Sequence, residues 1–179
     1  NELWNEPVIR ADYARVIQGA RVVLVISETT LAALQAKVTN LPPCKVCLLA
    51  TEEEGESPLG PPDGPPTLLV FGRHDSYFAK GQDILVRLWP RVTAALPDAR
   101  LMFVGGGLKL AELRNLAAAS PAHENINVKG FVEEQDILPI WQQASALALI
   151  SSLEGFGLVI AEAMRHGRPV LASLQDAGR

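Results

Sequence analysis

The sequence contains no apolar run long enough to cross a membrane, and no charged-then-apolar leader is visible at its start. Cysteine is scarce: Cys44 and Cys47 are its two, in the string Pro43-Cys44-Lys45-Val46-Cys47. Half of a zinc site or a redox pair can look like this. No second pair exists, however, and His74, His123 and His166 show no ligand spacing. The expectation is two reduced structural thiols, which suits a reducing cytoplasm. Excess positive charge is missing too: the formal net charge is −4, which argues against a general nucleic-acid binder. A Gly-x-Gly-x-x-Gly string is absent as well, and with it a dinucleotide fingerprint.

What is present is apolar and regular. At 179 residues and 48% hydrophobic, the chain can bury the core of one ordinary domain, or of one domain plus part of another. Residues 11–18 have weak helical periodicity. Residues 21–26 (RVVLVI) predict a strand, with Ser27 as N-cap of a helix from Glu28 to about Lys37. Leu41-Pro42-Pro43 breaks the chain before a second strand over 45–50. This strand-helix-strand unit places the first fifty residues in a parallel α/β layer, as the tail of one domain. Residues 51–66, TEEEGESPLGPPDGPP, have little to bury and read as a linker at a domain boundary.

From Thr67 strands and helices alternate strictly. Strands are expected over 68–71, 100–104 and 126–128, with helices over 81–95, 108–118 and 133–143. In the first helix, Ile84, Leu85, Leu88 and Val92 are expected along one face. Pro90 and Pro139 predict a kink or break in their helices. Residues 144–173 add a strand over 146–150, a loop, a helix bearing Leu158, Ile160, Ala161 and Met164, a C-cap at Gly167 and a last strand. Five strands and four helices predict a doubly wound parallel sheet, Rossmann-like, with right-handed crossovers.

Ligands of such sheets bind beyond the carboxyl ends of strands, where helix N-termini present unpaired N–H groups. Gly155 and Gly157 leave the backbone bare at one such terminus, so an anion can approach closely. Glu154 lies just before that helix and Glu162 inside its first turns. A second loop, Gly72-Arg73-His74-Asp75-Ser76-Tyr77-Phe78-Ala79-Lys80-Gly81, offers a guanidinium fork and an ammonium for phosphate oxygens. His74 and Asp75 receive no role. Gly105-Gly106-Gly107, after the strand over 100–104, reads first as a structural turn and second as a phosphate cradle.

The string Glu154-Gly155-Phe156-Gly157-Leu158, with Glu162-Ala163 and then Gly167-Arg168-Pro169-Val170, resembles the E-x7-E signature of retaining glycosyltransferases of family 4, which have the GT-B fold. Gly72-Arg73 with Lys80-Gly81 resembles that family's diphosphate-holding element. The resemblance implies a donor nucleotide-sugar domain over 67–179, preceded by the tail of an acceptor-side domain over 1–50. It implies that Arg73 and Lys80 stabilise the leaving diphosphate and that Glu154 contacts the donor sugar, these three being the catalytic set. It implies donor binding by Glu162 at the ribose, by Gly155, Phe156, Gly157 and Leu158 through backbone, by Gly105, and by Phe131 and Val132 near the nucleobase. Phe131 reads equally well as core from the residues alone.

On the same resemblance the substrate is a nucleoside diphosphate sugar, with neither metal nor resident cofactor required, and no Asp-x-Asp string is present. Attack from the front face, assisted by the phosphate, is implied in place of a Glu154 nucleophile. The chain lacks the glycine-rich loop and histidine usual in the acceptor-side domain, and ends before the family's last strands and helix. An internal fragment without turnover of its own is therefore expected, cytoplasmic, from a hexosyltransferase whose membrane-peripheral placement stays open. Two other readings stand beside it: a non-catalytic α/β module that pairs with another chain or itself through an incomplete sheet, and a piece of a UDP-sugar epimerase of the same fold.

Overall fold

The computed structural model describes residues 7–51, 58–62, 64–75, 80–152 and 156–173. The chain divides into two compact units, Asn1–Ala50 and Thr51–Arg179. In the first, helix α1 (Pro7–Gln18) precedes strand β1 (Val23–Val25), helix α2 (Glu28–Gln35) and strand β2 (Cys44–Val46). β1 and β2 pair in parallel, Val25 opposite Val46. Ser27 caps α2 as its sequence predicts: its Oγ accepts the Thr30 N–H at 3.0 Å. Both strands are shorter than the sequence suggests. Leu48 and Leu49, expected in the second strand, lie past its end and are exposed.

The second unit is a five-stranded sheet, β3 (Thr67–Phe71), β4 (Arg100–Val104), β5 (Ile126–Gly130), β6 (Ala146–Leu149) and β7 (Val170–Ala172), in the order β5-β4-β3-β6-β7. Every pairing is parallel. Helices α3 (Gln82–Ala95), α4 (Leu110–Ala118), α5 (Glu134–Gln143) and α6 (Leu158–Arg165) make the crossovers. This is the doubly wound α/β sheet expected from the alternation.

The two faces follow from the pleat, which turns successive side chains to opposite sides. Val70, Leu101, Phe103 and Ala148 pack with Leu85, Val86 and Trp89 of α3 and Leu113 of α4. Their strand neighbours Leu69, Met102, Val104 and Leu147 pack with Ile140 and Trp141 of α5 and Ala163 of α6. Each strand is thus apolar on both faces, as its continuous apolar run requires. Burying one such leucine contributes roughly 1.5–3 kcal/mol.

Several local expectations give way to packing. α3 and α5 run unbroken through Pro90 and Pro139. An interior proline costs about 3 kcal/mol, and each helix offsets it by burying a large apolar face that includes Trp89 or Trp141. Thr93 Oγ1 also donates to the carbonyls around the proline, at 3.3 Å to Trp89 and 3.2 Å to Pro90. The buried face of α3 is Gln82, Asp83, Leu85, Val86 and Trp89; Ile84 and Leu88 face out. In α6, Ala163 is buried while Met164 is 68% exposed.

α6 ends as predicted at Gly167. Its N–H reaches the Met164 carbonyl at 3.0 Å, and the next N–H, of Arg168, reaches Ala163 at 2.8 Å, a Schellman pattern. Arg168 is itself buried. Its Nε donates to Trp141 O at 3.1 Å and its terminal nitrogen to Gly60 O at 2.8 Å. Leu59 packs against the second apolar cluster. Residues 58–62, read from sequence as bare linker, are therefore held onto the sheet unit.

Candidate functional site

Parallel pairing brings the loops after β3, β4, β5 and β6 to one edge of the sheet. Successive crossovers lead from β3 out to β5, then back across to β6 on the other side of β3. The winding reverses between β3 and β6, and ligands of such sheets bind beyond the carboxyl ends at that switch point.

The loop after β3 is stitched to the loop after β4. Gly72 N–H donates to Val104 O at 2.9 Å, His74 N–H to Gly106 O at 2.9 Å, and Lys109 N–H to His74 O at 2.8 Å. The approach is so close that a Cβ on Gly105, whose φ is +125°, would overlap the Gly72 carbonyl oxygen. Gly105 N–H in turn donates to Gly130 O at 2.7 Å, tying in the end of β5. The backbone contact explains this glycine without a ligand, in line with the turn reading of the sequence.

Arg73 projects from this stitched base with its side chain 81% exposed. Its Nε donates to Asp75 Oδ2 at 2.6 Å, and Asp75 Oδ1 accepts the Leu108 N–H at 3.1 Å. The hydrogen bond and the charge of Asp75 raise the guanidinium's pKa; the bond from Arg73, then that from Leu108, lowers the carboxyl's. His74 is fully buried beside them, edge-on to Phe103 with ring centroids 6.1 Å apart. Its Nδ1 lies 3.1 Å from the Gln82 amide nitrogen, while His74 Nε2 and Gln82 Oε1 have no partner among the described residues. Burial pushes the imidazole's pKa down, against an upward pull from Asp75.

The same loop returns at Lys80 and Gly81 to start α3. Lys80 is half-buried. Gly81, the N-cap, has φ +67°, and a Cβ there would lie 2.7 Å from Ile150 Cγ1 and 2.9 Å from Ile150 O. The start of α3 is thereby seated against the end of β6.

Beyond β6, Ser151 is buried and its carbonyl accepts the Ser173 hydroxyl at 2.6 Å. Glu154 and Gly155, expected at the donor, lie outside the described residues. Phe156 is half-buried. Gly157, with φ +74°, is the N-cap of α6 and makes no side-chain cap bond. The first N–H groups of α6, beginning at Leu158, have no carbonyl within the helix. Glu162 is half-buried on the next turn, where desolvation raises its pKa.

At the end of β5, Phe131 is 73% exposed, which removes its core reading; Val132 instead packs on the apolar cluster under α5. The sequence reading gave Asp75, His74, Gln82 and Arg168 no part. Asp75 had a usable signal, its place two residues from a candidate phosphate ligand. His74 and Gln82 are joined only by the fold. Among the described residues no three His, Cys, Asp or Glu side chains gather as a metal site, and no helix is long and apolar enough to cross a membrane.

The fold superposes on S. aureus TarM, a mutant solved with fondaparinux, alpha-GlcNAc-glycerol and UDP, with a TM-score of 0.78 at 15% identity over 96% of this chain and 34% of that one. It superposes equally on sucrose-phosphate synthase from Thermosynechococcus elongatus, TM-score 0.78 at 24% identity, covering 96% of this chain and 45% of that one. These are GT-B glycosyltransferase folds. In sequence the chain is 37% identical over 100 residues to a Corynebacterium glutamicum GDP-mannose-dependent monoacylated alpha-(1-6)-phosphatidylinositol monomannoside mannosyltransferase. That alignment covers 52% of this chain and 26% of the relative, so the chain spans well under half the length of the curated relative. The family model for glycosyl transferases group 1 matches residues 65–178, and the chain belongs to that family.

Proposed function

We propose that the carboxyl edge of the second unit is a donor site for a nucleoside diphosphate sugar, serving hexosyl transfer with retention at the anomeric carbon. The observation that carries this reading is the seating of Gly81 on Ile150, because it brings the Arg73–Lys80 loop beside the strand that leads into α6. Two cationic side chains and a helix N-terminus with a bare glycine cap then belong to one crevice, and both features attract a diphosphate.

Charge builds on the leaving diphosphate as the sugar departs. Arg73 and Lys80 neutralise it, the kind of electrostatic stabilisation that usually dominates such reactions. The N–H groups around Phe156, Gly157 and Leu158 add the field of α6. Glu154, with Gly155 beside it, takes hydroxyls of the donor sugar. Glu162 accepts hydrogen bonds from the ribose, a role that needs its ionised form despite partial burial. Phe131 presents an aromatic face for the base next to Val132 and Gly105. The attacking hydroxyl approaches the same face the diphosphate leaves, with the phosphate assisting, so no carboxylate nucleophile enters. No metal or resident cofactor is needed.

The relative from C. glutamicum is by name GDP-mannose-dependent, and the TarM mutant was solved with UDP. Guanosine and uridine donors are therefore the first to test. On this reading the 179 residues bind donor without transferring it. Calorimetry of the folded chain with GDP, UDP, ADP and their sugars tests the proposal. Binding of at least one supports it, and a well-folded chain that ignores all of them sinks it.

A further inference from the structure

We infer that Asp75 is the positioning residue for Arg73, holding the guanidinium by its Nε so that the terminal nitrogens face an incoming anion already ordered. The inference rests on the donor-site reading above.

An arginine that is 81% exposed has no packing to fix its direction. Ordering such a side chain on binding costs entropy, which subtracts from its attraction for phosphate. Asp75 removes much of that cost beforehand. One carboxylate oxygen, Oδ2, takes the Arg73 Nε–H at 2.6 Å; the other, Oδ1, takes the Leu108 N–H at 3.1 Å. Leu108 is no loose anchor, because the next residue, Lys109, donates its N–H to His74 O at 2.8 Å. The carboxylate thus bridges the guanidinium to the stitched β3 and β4 loops, and His74, buried and paired with Gln82, pins that base from below.

Which nitrogen is engaged matters. Guanidinium carries five donors, one on Nε and four on the terminal pair. Binding Asp75 through Nε leaves the terminal edge, the one that matches two phosphate oxygens, for the ligand. Had the carboxylate taken the terminal pair, it would compete with phosphate instead of aiming the side chain.

The idea has a cost that makes it testable. A carboxylate near a diphosphate repels it, so a field effect alone predicts that neutralising Asp75 tightens nucleotide binding. Positioning predicts the reverse. Asp75→Asn keeps the shape and an acceptor for the Leu108 N–H, but loses the charge-assisted grip on Nε. Affinity for GDP and UDP is measured by calorimetry in wild type, Asp75→Asn, Arg73→Ala and the double variant. We expect Asp75→Asn to weaken the better-bound nucleotide about fivefold in wild type and less than about twofold on Arg73→Ala, the mark of coupled neighbours. In parallel, hydrogen exchange at the Arg73 Nε–H, followed without nucleotide in 15N-arginine protein, should quicken in Asp75→Asn.

Equal losses in both backgrounds, tighter binding by Asp75→Asn, or unchanged Nε–H exchange would each overturn the positioning role while leaving the donor site standing. A folded wild type that binds none of GDP, UDP, ADP and their sugars would overturn both.

Discussion

The Cβ that Gly81 lacks would lie 2.9 Å from the carbonyl oxygen of Ile150. That one gap sets how near the start of α3 comes to the end of β6, and so how close the end of the loop after β3 lies to the strand that leads towards α6.

Gly81→Ala should therefore damage both fold and site. A side chain at φ +67° costs about 1–2 kcal/mol by itself, and the contacts with Ile150 add overpacking of about 1–3 kcal/mol. Urea unfolding should show a loss of more than about 2 kcal/mol, with nucleotide affinity falling alongside. A variant as stable as wild type would mean the two segments are not in fixed contact.

Arg73→Ala should separate the two properties. The side chain is exposed, so the unfolding midpoint should stay where it is in wild type. Nucleotide affinity should drop roughly tenfold to a hundredfold, the worth of a charge-assisted bond. The slope of log affinity against log salt should also flatten. Loss of stability without loss of affinity would take Arg73 out of the site.

Glu162 pulls stability and function apart in the opposite direction. Its burial raises the carboxyl's pKa above 4.5, so the folded state holds a proton more tightly than the unfolded one. Its contribution to stability is whole below pH 4.5 and is lost as pH rises through the raised folded value. Glu162→Gln should accordingly be more stable than wild type at pH 7.5 and nearly equal at pH 4. It should also bind nucleoside diphosphates more weakly, having lost an anionic acceptor for ribose. Unfolding at the two pH values and calorimetry read both effects.

His74 gives the opposite pH dependence. Burial lowers its pKa below 6.5, so the unfolded chain binds the proton that the folded chain resists. Its stabilising share is whole above pH 6.5 and declines as pH falls through that value towards the lower folded one. His166 is pushed the same way, first by burial and then by Arg165 and Arg168. Urea midpoints should drop between pH 7.5 and 5.5, and the drop should shrink in His74→Leu. An unchanged drop in that variant would leave His74 without a part in it.

Much of the architecture was legible because local pattern and tertiary need agree. Runs such as Leu101, Met102, Phe103 and Val104 are apolar at every position, which suits a strand covered on both faces. Ser27 and Gly167 mark their helix ends by chemistry that acts within a few residues. The break that Pro90 and Pro139 suggested does not occur, because the penalty of an interior proline is local, whereas the burial that offsets it involves strands far along the chain. Ile84 and Leu88 misled because an amphipathic stripe does not say that Gln82 and Asp83 will take part of the covered face.

The sequence by itself determined the alternation, the parallel sheet and the string that marks the family, since each depends on residue types at fixed short spacing. Only the tertiary structure decided that Gln82 meets His74, that Asp75 grips Arg73 while anchored to Leu108, and that Arg168 holds residue 60 to the carboxyl end of α5. Arg73 and Asp75 share a loop, but the other partners lie on different turns and loops. Hydrogen bonds and close contacts act over a few ångströms of space, and distance along the chain does not encode that space until the sheet has formed.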